Sequence, residues 1–432
     1  MGVWNVRKLF YAVLTLLWSA VFMVSADAKA VATWWDKTDW SKPEVYPFDK
    51  NTLPFKAADH LQAIEIKGVD FKGKPSRFFC WYGVPEVKKG EKVPGIVLVH
   101  GGGGFAFSKW VEMWNSRGYA AIALDTCGNH PLVAWEGQKG KRTVRAPHHG
   151  ATEAEKYKVN IPMTEQWSYQ AVADIMLAHS FLRSLDGVDK DRIGVTGVSW
   201  GGYLTTLVTG VDDRFAFSIP VYGCGFFKGT KFYESMLKRK RTPAEFEKWC
   251  KYWDANLFLA NAKMPVLFVN GTNDFFFHID SWMKTAGIPA DSYMALQVKM
   301  AHSHKSADVP VVRAFADMVC FGGPKLPKLV AEGVKDGIAY AEFFSEEPVI
   351  SAEYNYSLDD CHSTKRKWEI KKMAVSGKGK VRLEYKVPEK AVIGYFTLNI
   401  KNKYVKEPGF ARGYSKFQVF SSSTPLYYNK NK

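Results

Sequence analysis

The sequence predicts a doubly wound α/β domain with a mostly parallel sheet, followed by a small all-β domain. Three observations predict it. Short apolar runs alternate with helical patterns from about residue 95 to 319, the rhythm of strand–helix–strand units. That rhythm stops at Gly322-Gly323-Pro324-Lys325-Leu326-Pro327, after which only short alternating runs remain. Between them, Gly197-Val198-Ser199-Trp200-Gly201-Gly202 joins a buried-strand run to a helix start. This places a serine at the tip of a sharp strand–turn–helix junction. At 432 residues the chain is too long for one small core. We divide it into a processing segment at 1–28, an α/β domain at 29–323 and a sandwich-like domain at 324–432.

The elements follow in order. Arg7 and Lys8 precede an apolar stretch from Leu9 to Val24, and Ala26-Asp27-Ala28 offers a small-residue cleavage site. This is the pattern of a secretory signal, too short at its apolar core for a membrane span. It predicts an exported protein, secreted or periplasmic, with no stable membrane insertion. Residues 29–60 read as irregular and aromatic-rich. Leu61–Ile66 and Ser76–Tyr82 alternate like a half-buried antiparallel pair. Gly95–Val99 and Tyr119–Leu124 are continuous apolar runs, expected for strands buried on both faces, with a helix between them around Trp110–Ser116. A polar loop, 128–162, reads as an insertion over the sheet edge. Gln166–Leu185 is an amphipathic helix. Strands are expected at 192–196, 215–221, 265–269 and 293–298. Helices are expected after Thr242-Pro243, from about His278, and at 309–319. Beyond residue 324, runs at 337–343, 352–357, 368–375, 380–387, 392–400 and 414–420 read as short strands.

Composition narrows the function classes. The formal charge is +16, and 20 basic against 12 acidic residues lie in 324–432. A basic surface attracts acidic polymers, but no nucleic-acid motif accompanies it, so nucleic acid is not an expected partner. Lys365, Arg366, Lys367, Lys371 and Lys372 flank Trp368, a candidate surface for an acidic polysaccharide. Six cysteines show no C-x-x-C spacing, and export permits one or two disulfides among them. His130, His148 and His149 lack carboxylates at ligand spacing, so no metal site is expected.

The chemistry-bearing residues cluster after strands. A serine nucleophile needs a base, an acid to orient it, and donors for the oxyanion. Asp274 follows the strand at 265–269, and His302 and His304 follow that at 293–298. His302 is nearer the strand end and is the favoured base, with His304 its rival. The chain order Ser199, Asp274, His302 fits a doubly wound hydrolase. His100-Gly101-Gly102-Gly103-Gly104 follows a buried strand. Its backbone N–H groups, at Gly102 or Gly103, are expected to share the oxyanion with the N–H of Trp200. No Lys-Ser/Thr follows these glycines, which excludes a P-loop. Tyr222, Phe226, Phe275 and Trp282 lie in or near loops after these strands and are the candidate substrate-binding aromatics.

At VLVHGGGGFAFSKWVEMWNSRGYAAIALDTCGN, DRIGVTGVSWGGYLTTLVTGVDDRFAFSIPVYGCGF and MPVLFVNGTNDFFF the chain resembles secreted bacterial α/β-hydrolases of the acetyl xylan esterase-like kind. These are related to dienelactone hydrolases and to prolyl-oligopeptidase-type catalytic domains. The resemblance covers roughly residues 40–320. It implies Ser199 as nucleophile, Asp274 as acid and His302 as the first histidine of a His-Gly-His motif. This chain carries Ser303 in place of that glycine, and His278 where a proline is expected. The implied activity is removal of acetyl or another small acyl group from a polysaccharide or acylated sugar, with no cofactor. Two rivals stand beside it: a serine exopeptidase of the prolyl-oligopeptidase type, and a non-catalytic carbohydrate-binding protein.

Overall fold

The computed structural model describes Trp35, Trp40, Ser41 and residues 43–137, 140–228, 242–359, 363–401 and 419–427. The expected signal segment and Cys361 lie outside the described residues. So does most of the strand expected at 414–420.

Nine strands form the central sheet, in the order β1-β2-β3-β5-β4-β8-β9-β10-β11. They are β1 (Val45–Phe48), β2 (Gln62–Lys67), β3 (Arg77–Gly83), β4 (Val93–Val99), β5 (Ala120–Leu124), β8 (Val188–Val198), β9 (Phe217–Val221), β10 (Val266–Gly271) and β11 (Ser292–Gln297). From β5 through β11 every neighbouring pair is parallel. β1, β2 and β3 add an antiparallel edge. β4 and β5 are buried at every position, as the continuous apolar runs require. Helices cover the sheet: α1 (Ser108–Asn115), α2 (Trp167–Arg183), α3 (Trp200–Thr209), α4 (Pro243–Trp253), the short α5 (Asn256–Leu259), α6 (Ile279–Ala286) and α7 (Pro310–Cys320). α4 starts as its sequence dictates. Pro243 occupies the first turn, and Thr242 and Glu245 close a capping box.

Three expectations are corrected. β1 forms where an irregular segment was expected, pairing Val45–Phe48 with Ala63–Ile66. The long loop carries a two-stranded hairpin, β6 (Asn129–Pro131) and β7 (Thr143–Arg145). The five described cysteines, Cys80, Cys127, Cys224, Cys250 and Cys320, are buried free thiols, so no disulfide forms among the described residues.

The C-terminal region is an antiparallel sheet of six strands: β12 (Lys328–Lys335), β13 (Ile338–Ser357), β14 (Glu369–Met373), β15 (Gly377–Lys386), β16 (Ile393–Lys401) and β17 (Val419–Tyr427). The runs at 337–343 and 352–357 belong to one strand, β13. Its register shifts near Ser345–Ser351, around Pro348, a position where a strand tolerates proline. The first half of β13 pairs with β12 and β15, and the second half with β14 and β16. Phe343, Tyr354, Leu383 and Phe396, drawn from both halves, share a second small core. Ile393, Tyr395 and Ile400 belong instead to the main core, and Trp368 packs against it. Trp368 is half-buried, with its ring edge on Tyr395, which leaves only part of it for the expected stacking surface. Most described tryptophans are interior: Trp81, Trp110, Trp114, Trp167, Trp249 and Trp282 are fully buried. No described helix is long and apolar enough to cross a membrane.

Candidate active site

Ser199 sits between β8 and α3 with φ 60° and ψ −118°, a conformation costly for a residue with a Cβ. The surroundings enforce it. Its N–H donates to the Val221 carbonyl (2.9 Å), and its own carbonyl accepts from the Tyr203 N–H (2.8 Å). A Cβ on Gly197 would lie 2.3 Å from the Gly201 carbonyl oxygen, and one on Gly201 would lie 2.1 Å from that of Val99. Only glycine allows α3 to begin this close to β4.

The partners arrive from the two following strand ends. Asp274 is buried beyond β10. One of its oxygens, Oδ1, accepts from the N–H groups of Phe276 (2.8 Å) and Phe277 (2.6 Å), which leaves Oδ2 to the His302 Nδ1 at 2.5 Å. The His302 Nε2 lies 2.8 Å from the Ser199 Oγ. With Nδ1–H donating to Asp274, Nε2 is the bare nitrogen that accepts from the serine hydroxyl.

Two further imidazoles grip the Gly101 peptide. The His100 Nε2 accepts the Thr126 N–H at 3.0 Å. Its proton therefore sits on Nδ1 and donates to the Gly101 carbonyl at 2.8 Å. Burial lowers the pKa of His100, which keeps the ring neutral. On the other side the Gly101 N–H donates to the His304 Nε2 at 2.8 Å. His304 must then carry its proton on Nδ1, 2.5 Å from the Glu136 Oε2. Ser303, in the place of the expected glycine, adds a hydroxyl donor to the Glu136 Oε1 at 3.3 Å.

This arrangement sorts the glycine donors. The Gly101 N–H is taken by His304, and the Gly104 N–H by the Gly101 carbonyl. The Gly103 N–H donates to the Glu153 Oε1 at 3.0 Å, so Gly103 is removed from the expected oxyanion donors. The Gly102 N–H has no partner among the described residues, and its Cα faces Trp200: a Cβ there would lie 2.8 Å from the Trp200 Cδ1. Trp200 opens α3, where backbone donors have no intrahelical acceptor. Gly102 and Trp200 are the pair suited to a developing oxyanion.

Residues 148–318 match the prolyl oligopeptidase family. The uncharacterized peptidase YuxL of Bacillus subtilis (strain 168) is 24% identical over 214 residues, 45% of this chain and 28% of that protein. The chain thus spans less than a third of that relative's length. An acetyl xylan esterase from Paenibacillus sp. R4 shares the fold with a TM-score of 0.50 and 17% identity, over 69% of this chain and 93% of that one. The fold is that of an α/β-hydrolase. An acylaminoacyl peptidase of Pyrococcus horikoshii gives a TM-score of 0.44 and 23% identity, over 60% of this chain and 39% of that one.

The aromatic candidates in this α/β-hydrolase divide. Phe275 is 57% exposed and its ring centroid lies 4.8 Å from that of His302, so it borders both solvent and the base. Phe226 is half-buried. Its φ is 54°, and its N–H is held by the Asp254 Oδ1 at 2.7 Å. Tyr222 and Trp282 are corrected. Trp282 is fully buried on α6. Tyr222 is fully buried too, stacked on His302 at 4.5 Å. Its hydroxyl donates to the Ala301 carbonyl at 2.5 Å, which makes it a support for the base rather than a substrate contact.

The sequence missed Glu136, Glu153 and Lys156, all from the long loop. That loop therefore serves the site rather than only the sheet edge. Lys156 is buried beside Glu153 (3.3 Å) and lies over the Trp167 and Trp200 rings at 4.6 and 4.4 Å. No local spacing announces these contacts, and an acidic residue in a polar loop looks like any solvated one. Among the described residues no group of three metal-ligating side chains occurs.

Proposed function

We propose that this α/β-hydrolase is an exported serine esterase that removes acetyl or another small acyl group from a polysaccharide. The observation that carries it is the relay from Ser199 through His302 to Asp274, at 2.8 and 2.5 Å. The Ser199 Oγ attacks the ester carbonyl while its proton passes to the His302 Nε2. The oxyanion is met by the N–H groups of Gly102 and Trp200. Collapse breaks the ester bond, and His302 returns the proton to the departing sugar oxygen. Water then attacks the acyl-enzyme, gives its proton to His302, and releases the carboxylic acid and Ser199. Asp274 holds the imidazole in the required tautomer throughout.

The likeness to the Paenibacillus acetyl xylan esterase, over 93% of that chain, supports ester over peptide. The prolyl oligopeptidase match over 148–318 favours the rival peptidase reading. Three substrates separate them: p-nitrophenyl acetate, acetylated xylan and an aminoacyl anilide. Both acetyl substrates should be cleaved and the anilide spared. A fluorophosphonate should label Ser199, and Ser199→Ala should lower turnover by at least about 10³-fold without unfolding. Anilide cleavage with inert esters would establish the peptidase, and an unlabelled Ser199 would leave a carbohydrate-binding protein. The exported chain is expected to begin at Lys29.

A further inference from the structure

Gly103 and Gly104 also border a cavity of about 350 Å³, within the size range of ligand sites. Its other walls include Asn129, Arg142, Thr143 and Arg145 from the β6–β7 hairpin, together with Glu153. The charge in this cavity is unevenly matched. The Glu153 carboxylate is already occupied by the Gly103 N–H and Lys156. Burial opposes its ionisation, but these partners outweigh it and hold the group below the usual carboxylate range. Arg145 donates to the Cys127 and Gly128 carbonyls and is thereby fixed in the wall. Glu136, the other nearby acid, has its oxygens engaged by His304 and Ser303, and Arg142 acts on it only as a more distant charge, without a direct ion pair. Arg142 remains. Its guanidinium makes no hydrogen bond or ion pair among the described residues, and neither the Asn129 amide nor the Thr143 hydroxyl has a partner there. A Cβ on Gly103 would lie 3.9 Å from the Arg142 Nη2.

We propose that this cavity is an anion subsite, in which Arg142 receives the carboxylate or sulfate of an acidic sugar at or next to the acylated one. A guanidinium fork matches either group through two parallel hydrogen bonds. The distance fits a single substrate. Gly102, the oxyanion donor, and Gly103, which borders the cavity, are consecutive, with Cα atoms about 3.8 Å apart. The subsite adds acidic-polymer recognition on the catalytic domain to the basic C-terminal surface expected from the sequence. The proposal rests on the esterase reading for its choice of ligand.

The test is binding, in the Ser199→Ala protein, of three oligosaccharides by calorimetry: xylotetraose, the same chain bearing one glucuronate, and a sulfated xylotetraose. At least one acidic ligand should bind about tenfold or more tighter than the neutral one. Arg142→Ala should erase that advantage, while Arg142→Lys, which keeps the charge and loses the fork, should retain part of it. Which acidic ligand shows the Arg142 dependence identifies the anion. Equal affinity for all three, or an advantage that survives Arg142→Ala, overturns the subsite. The esterase reading is scored separately, by turnover of p-nitrophenyl acetate in the unmutated protein.

Discussion

At the scale of single residues, the Gly101 peptide shows how the oxyanion donor is aimed. His100 holds its carbonyl and His304 its N–H, which fixes the orientation of the next amide, that of Gly102. His304 is therefore a positioning residue, and its effect should differ in kind from that of the base. We expect His302→Ala to lower kcat on p-nitrophenyl acetate by about 10³-fold or more. His304→Ala should lower it about tenfold with little change in KM, since a loosened donor costs less than a lost one. His304→Gln, whose side-chain carbonyl can accept the Gly101 N–H, should recover much of the loss. A reversal, with His304→Ala costing far more than His302→Ala, would make His304 the base. The order of Ser199, Asp274 and His302 was legible in the sequence because each follows a strand. The Glu136–His304 contact joins residues 168 positions apart, and no local pattern encodes such a pair. The same holds for Tyr222, which the sequence offers as a cleft aromatic and the fold places behind the base.

Among the elements, the elbow is the one most tightly specified. The Val99 and His100 carbonyls approach Gly201 so closely that a Cβ would lie 2.1 and 2.5 Å from them. Both are backbone atoms and neither can swing aside. Gly201→Ala must push α3 off β4, at a cost of about 1–3 kcal/mol or more. The same displacement carries the Trp200 N–H away from its target. Urea unfolding should show the lost stability, and residual activity of the folded fraction should fall as well. Full activity with wild-type stability would refute this account of the junction. The parallel strands and their helices were legible because buried runs and capped helices leave local signatures. β1 was not, because Tyr46-Pro47 within an aromatic, polar stretch breaks the alternation. β13 was read as two strands because Glu346, Glu347 and Pro348 interrupt its apolar pattern, whereas the chain crosses them by shifting register.

For the whole molecule, one buried acid sets a pH dependence. Asp254 follows α4 and accepts the N–H groups of Phe226 and Phe227, holding the loop that leaves β9. Burial pushes its carboxyl up to about 6, and the Phe227, Phe226 and Asn256 N–H groups only partly offset that. The unfolded value is near 3.9, so between these limits the folded state binds the extra proton. Its contribution is fully present below about pH 4 and is lost as pH rises through about 6. The size is on the order of 2–3 kcal/mol. Asp254→Asn should flatten the fall in urea midpoint between pH 4 and 7, and an unchanged slope would assign that fall to other groups. Asp125, also buried and shifted upward mainly by burial, acts in the same direction. One tie links the two sheets at the reaction centre. Asn273, the residue before Asp274, donates its side-chain amide to the Thr364 and Arg366 carbonyls (3.3 and 3.0 Å). The segment between β13 and β14 therefore seats the residue next to the catalytic acid, while Ile393, Tyr395 and Ile400 anchor the same C-terminal sheet in the main core, so the appended sheet doubles as scaffolding for the loop that carries Asp274.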